Sequence, residues 1–148
     1  MKSIQRVTRV QLKTNHKVEL LTLGIVSTEP DYKLSLSINK KFRISLKNIS
    51  PVNITDETGS ELAFSRFSDS VAIGSSEIVF NLISNRYGSN FLLKKLKNVD
   101  YLFQIQDSEN ERNIDQVISG LREIDSVNAV FKIDFKAFKD KNLQYLTH

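Results

Sequence analysis

The chain has 148 residues, 40% hydrophobic and 26% charged, with no cysteine, no tryptophan and a formal charge of +4. That length suits one domain, which buries roughly 70% of its extended surface without needing a covalent staple. The missing cysteines exclude disulfide frameworks, thiolate metal sites and cysteine nucleophiles.

Residues 1–15 carry Lys2, Arg6, Arg9 and Lys13 among isolated apolar residues. They lack the apolar run of a secretory signal, and no later stretch approaches the roughly 18 apolar residues of a membrane span. The expectation is a cytoplasmic protein with no membrane partner, with a weak early strand over residues 7–13. Residues 18–28 are apolar on both alternating sets, which suits an inner strand. Residues 29–41 read two ways. Tyr32, Leu34, Leu36 and Ile38 alternate as in a strand, whereas Thr28 and Asp31 have capping-box spacing, with Pro30 in a first helical turn. Phe42, Ile44 and Leu46 suggest a short strand, and residues 50–60 form the longest polar loop.

Residues 61–68 and 77–86 read as two strands, joined through residues 69–76 with Gly74. The clearest unit follows. Val99, Tyr101, Phe103 and Ile105 alternate with Asp100, Leu102, Gln104 and Gln106, the period of a half-buried strand. Ser108 and Glu111 then make a capping box. Ile114, Val117, Ile118, Leu121 and Ile124 share one helical face, and Val127, Ala129, Phe131, Ile133 and Phe135 alternate as a closing strand. With no repeat and no Pro/Gly/Ser-rich linker, residues 1–148 are expected to form a single α+β domain. Its antiparallel-rich sheet of about five strands carries two main helices on one face, as a ferredoxin-like, split βαβ sandwich.

Several of these segments together resemble the IPExxxVDY family of small bacterial proteins. The nine-residue signature lies over residues 93–101, where Val99, Asp100 and Tyr101 match and Lys94 and Lys95 replace its Pro and Glu. Asp31-Tyr32-Lys33-Leu34 with Ile38-Asn39-Lys40, and residues 80–86, carry the likeness over most of the chain from about residue 31. The resemblance implies a cytoplasmic protein of the Bacteroidetes lineage and tips residues 29–41 toward helix. It implies no enzymatic activity, so no catalytic residue is carried over.

Candidate chemistry is sparse. His16 and His148 stand near the two ends, too poorly placed for a zinc site or a nucleophile–base pair, so neither metal nor cofactor is expected. Asp107, Glu109, Glu111 and Asp115 lack calcium-loop spacing and its glycine, and fit helix capping. Gly88-Ser89 has no phosphate-loop companions. Asp100, Arg86 and Tyr87 form a possible polar site, and a cleft uniting them would favour an enzyme. Residues 1–50 carry +7, residues 99–131 carry −5, and Lys40, Lys41, Arg43 and Lys47 form a basic patch. Such a patch could contact phosphates. The non-core strand sets, Asp100, Leu102, Gln104 and Gln106 with Asn128, Val130, Lys132 and Asp134, offer no aromatic for base stacking.

Leu102 and Val130 are placed on the open sheet face by this pattern. Phe138, Leu143, Tyr145 and Leu146 are too apolar for a free tail. They are expected to pack on the body or across a dimer interface. The leading expectation is therefore a non-enzymatic interaction or regulatory module, self-associating or bound to a protein partner, with Leu102, Val130, Phe138, Leu143 and Tyr145 as contact candidates. An RNA-associated accessory protein using the basic N-terminal half is the alternative, and an enzyme of unknown class the third.

Overall fold

The structure, a computed structural model, describes residues 19–107, 113–135 and 140–146. The expected strand at residues 7–13, the capping box at Ser108–Glu111, both histidines and Phe138 lie outside those residues. In chain order the elements are β1 (Glu19–Ser27), α1 (Asp31–Phe42), β2 (Lys47–Thr55), β3 (Glu61–Ile73), β4 (Ser76–Ser84), β5 (Arg86–Tyr87), β6 (Asn90–Phe91), β7 (Tyr101–Asp107), α2 (Ile114–Arg122), β8 (Val127–Ile133) and a 3-10 turn (Lys141–Tyr145). Six strands make one antiparallel sheet in the order β2-β3-β4-β7-β1-β8, and β5 pairs only with β6.

This is the expected α+β architecture with two helices on one sheet face. Leu34 and Ile38 of α1 and Val117, Ile118 and Leu121 of α2 bury against Leu23, Ile25, Phe80, Phe103 and Ile105 of the central strands. Phe42, Phe103 and Phe80 stack in series, with ring centroids 6.5 and 6.0 Å apart. Each such apolar side chain removed from water contributes about 1.5–3 kcal/mol.

The helical reading of residues 29–41 holds, with a physical reason for the ambiguity. Leu34 and Ile38, four apart, face the sheet, while Tyr32 and Leu36, also four apart, face outward. Two i,i+4 stripes on opposite sides of a helix look like strand alternation when written in a line. The helix start differs from the expected capping box, since Pro30 is the N-cap and supplies no side-chain bond. At the other end Arg43 takes the left-handed conformation (φ 57°) and its amide bonds the Asn39 carbonyl, so the expected strand at Phe42–Leu46 is a helix end and a turn. In α2 the Asn113 side chain is the cap, accepting from the amides of Asp115 and Gln116.

Two further expectations are corrected. Much of the polar stretch at residues 50–60 is strand: β2 is an edge strand, which tolerates the exposed side chains and Pro51. Only Asp56–Ser60 turns, around an Asp56 carboxylate that accepts from the Thr58 hydroxyl and the Thr58 and Ser60 amides. The Thr58 bond leads the interactions that hold that carboxyl below its ordinary range, against a smaller opposing effect of burial. The connection expected over residues 69–76 is also shorter, because β3 continues to Ile73 and the chain turns at Gly74 (φ 62°).

The second sheet face is not open. Val52, Leu62, Phe64, Ile83 and Leu102 are covered by Leu92, Leu93 and Val99 from the strap between β4 and β7, and by Leu146 from the C-terminal turn. Leu143 and Phe135 pack at its margin.

Candidate functional site

The strap that covers the second face hangs on one side chain. Asn85, fully buried just after β4, donates from Nδ2 to the carbonyls of Leu96 and Val99 (both 2.9 Å) and accepts the Leu93 amide at Oδ1 (2.8 Å). Its main chain bonds the Asp100 carbonyl and the Leu92 amide. The Leu93 amide and the Val99 carbonyl, which would otherwise lose water without replacement, are thus satisfied by one residue, and the Leu96 carbonyl gains a second bond beside that from the Val99 amide.

Beside this anchor a cleft of about 610 Å³ opens at the end of the sheet, where β1 leads into α1. Ser27, Glu29, Ser84, Arg86, Asp100 and Tyr101 are among its lining residues. Asp100 sits at its centre, with Oδ1 2.7 Å from Arg86 Nε and Oδ2 accepting the Ser27 amide at 2.9 Å. Its own amide donates to the Ile25 carbonyl. Arg86 is held on a second side by Phe91, whose ring centroid lies 5.1 Å from the guanidinium carbon, within cation–π range. The Tyr101 ring points to the helix-side core and its hydroxyl donates to the Glu29 carbonyl. Burial, and then the charges of Asp31, Asp100 and Glu29, push the Tyr101 phenol up to about 12. The alternation read from the sequence is therefore correct in placing Asp100 and Tyr101 on opposite faces. Asp100 is, however, an enclosed tie rather than a free surface acid.

Of the proposed polar trio, Asp100 and Arg86 meet as an ion pair, but Tyr87 does not join them. Tyr87 lies outside the cleft lining, exposed and edge-on to Phe64 with centroids 6.3 Å apart. The contact candidates are also dispersed. Leu102 is fully buried beneath the strap and Val130 is buried on the helix face, so neither offers surface to a partner. Leu143 is half-buried against the body, and Tyr145 is exposed.

Val130 was misplaced because of a β-bulge. Ser27 pairs with Val127 but Val26 pairs with Ala129, leaving Asn128 as the extra residue. Past it the alternation changes phase, so Val130 lies opposite Ile25 on the helix side and Phe131 turns to the other face, 44% exposed. The second face therefore does present one aromatic, although the strap and the C-terminal turn cover its middle.

The basic patch is divided by acids. Lys40, Lys41 and Arg43 share a surface depression with Glu123 and Asp125, and Lys41 is ion-paired to Glu123. Lys47 opens β2, outside that depression. Among the described residues no group of three or more His, Cys, Asp or Glu side chains could hold a metal ion. No described helix is long and apolar enough to cross a membrane. Asn85 and the outward pair Tyr32 and Leu36 were not recognised from sequence. Asn85 has its side-chain partners 8 to 14 residues further on, and no local pattern announces them. No protein-family model, curated protein or solved structure matches this chain.

Proposed function

We propose that this chain works by binding protein surfaces rather than by chemistry, that it self-associates, and that its kinship is with the IPExxxVDY family it resembles. The observation that carries the reading is the outer face of α1. Tyr32 is 54% exposed and Leu36 63% exposed, one helical turn apart, on a helix whose opposite stripe is fully buried. Large apolar groups adjacent on a regular helix are surface that a partner can remove from water. The polar groups of the cleft support the same reading, because they are already engaged in holding the fold. Both Asp100 oxygens have partners, Arg86 Nε is bound to one of them, and the Tyr101 hydroxyl ties down a carbonyl. The three residues that match the family signature each have a place in the architecture. Val99 is one of the strap's buried covering residues, Asp100 joins β1 to Arg86, and Tyr101 closes the start of α1.

Sedimentation velocity over a wide concentration range tests the reading. The weight-average sedimentation coefficient is expected to rise with concentration. A monomer at every concentration would overturn self-association.

A further inference from the structure

We infer that the self-contact is a two-fold one, in which α1 packs antiparallel on α1 of a second copy with Leu36 on the axis. The inference rests on the self-association proposed above and assigns its surface. α1 runs from residue 31 to 42, so Leu36 stands at its middle. A two-fold axis there sets each residue against the one equally far on the other side of Leu36. Tyr32 and Lys40 each lie four residues from Leu36 and share its exposed stripe, so Tyr32 meets the partner's Lys40. An ammonium against a tyrosine face is a favourable contact. Glu29 and Arg43 lie just beyond the two ends of α1, each seven residues along the chain from Leu36, so the two-fold axis brings Glu29 toward the partner's Arg43. Exposed Lys33 falls opposite the partner's Asn39, so the register contains no like-charged pair.

The charge is arranged for this polarity. Glu29 and Asp31 stand at the start of α1, beside the Asp100–Arg86 pair. Lys40 and Arg43 stand exposed at the other end, beside a Lys41 already paired to Glu123. Antiparallel packing brings each acidic end to a basic end and aligns the helix dipoles favourably. A parallel pairing would set Lys33 and Lys40 against their own copies. One helix face buries less than the roughly 800 Å² per partner of a standard stable interface, so the dimer is a weak one that forms at high concentration.

The test is sedimentation equilibrium on the wild type, on Leu36→Gln, on Glu29→Arg, on Arg43→Glu, and on an equimolar mixture of the last two. Leu36 and Arg43 are exposed and Glu29 is half-buried, and thermal melts report whether each chain stays folded. Leu36→Gln is expected to weaken the dimer at least about tenfold. Each charge reversal alone is expected to weaken it, since it creates two repulsive pairs per dimer. Their mixture restores it, because a heterodimer then has opposite charges at both contacts. A wild type that dimerises with all variants unaffected overturns the α1 interface and leaves self-association standing. Weakening by both reversals without recovery in the mixture overturns the proposed register. A wild type that stays monomeric overturns both readings and assigns the face to an unlike partner.

Discussion

Asn85 illustrates how one polar side chain can organise a segment that has little regular structure of its own. Replacing it with Ala leaves the Val99 carbonyl and the Leu93 amide without their partner in a dry interior, and the Leu96 carbonyl with only the Val99 amide. A buried group left unpaired costs about 1–3 kcal/mol, so Asn85→Ala should lower stability by about 3 kcal/mol in urea titrations. Tyr101 makes a different prediction, about pH. Its phenol is raised from 10.0 to about 12, so up to pH 10 it is protonated both folded and unfolded. Between those values the unfolded chain releases the proton and the folded chain retains it, so stability falls as pH rises through that window. Tyr101→Phe should lose about 1 kcal/mol at neutral pH, with the bond to the Glu29 carbonyl. Its stability should then decline less steeply than the wild type's above pH 10, as paired denaturation series would show. Asp100, Arg86 and Tyr101 could be singled out from sequence because charge and alternation mark them. Asn85 could not, because nothing in its neighbourhood shows that the chain returns to it.

The strands show why periodicity succeeds in places and fails in others. β7 alternates cleanly, and the structure buries Tyr101, Phe103 and Ile105 on the helix side. β8 has the same kind of pattern, but the extra residue Asn128 inverts it part-way, and a bulge leaves no fixed mark in composition. β2 is missed for the opposite reason, since an edge strand with mostly exposed side chains needs little apolar content. The inner strand β1 is recognisable because both its faces are covered, and Gly24 shows how tightly. A Cβ built there would stand 3.0 Å from Ile133 Cδ1 and 3.1 Å from Val99 Cγ2. Glycine is needed here for space, because the strap and β8 both close over this point. Gly24→Val should therefore destabilise by about 2 kcal/mol despite valine's better strand propensity. Gly59→Ala would meet no neighbour within 4 Å, and its cost comes from its positive φ alone. Comparing urea midpoints of the two variants separates crowding from backbone strain.

Across the molecule, the uneven charge seen in the sequence is partly matched within the fold. Lys41–Glu123 and Arg86–Asp100 each join a base from earlier in the chain to an acid of the negative stretch at residues 99–131. The total charge of +4 therefore says little about an acidic partner. The apolar C-terminal segment is matched internally in the same way. Leu146 is buried beside Leu102, its carbonyl accepts from Gln104 Nε2 at 3.0 Å, and Asn142 Nδ2 donates to the Leu92 carbonyl. The turn therefore ties the strap to the sheet, so that the middle of the second face is covered from within the chain. Leu146 and Tyr145 are neighbours in sequence but differ in this role, since Tyr145 is exposed. Leu146→Ala should cost about 2 kcal/mol, the loss of a buried leucine side chain, and should increase binding of a hydrophobic dye. Tyr145→Ala should change stability by less than about 0.5 kcal/mol and leave dye binding unchanged. Equal, small effects at both positions would mean that the turn does not close the second face. Leu102 would then regain its standing as a surface for a partner.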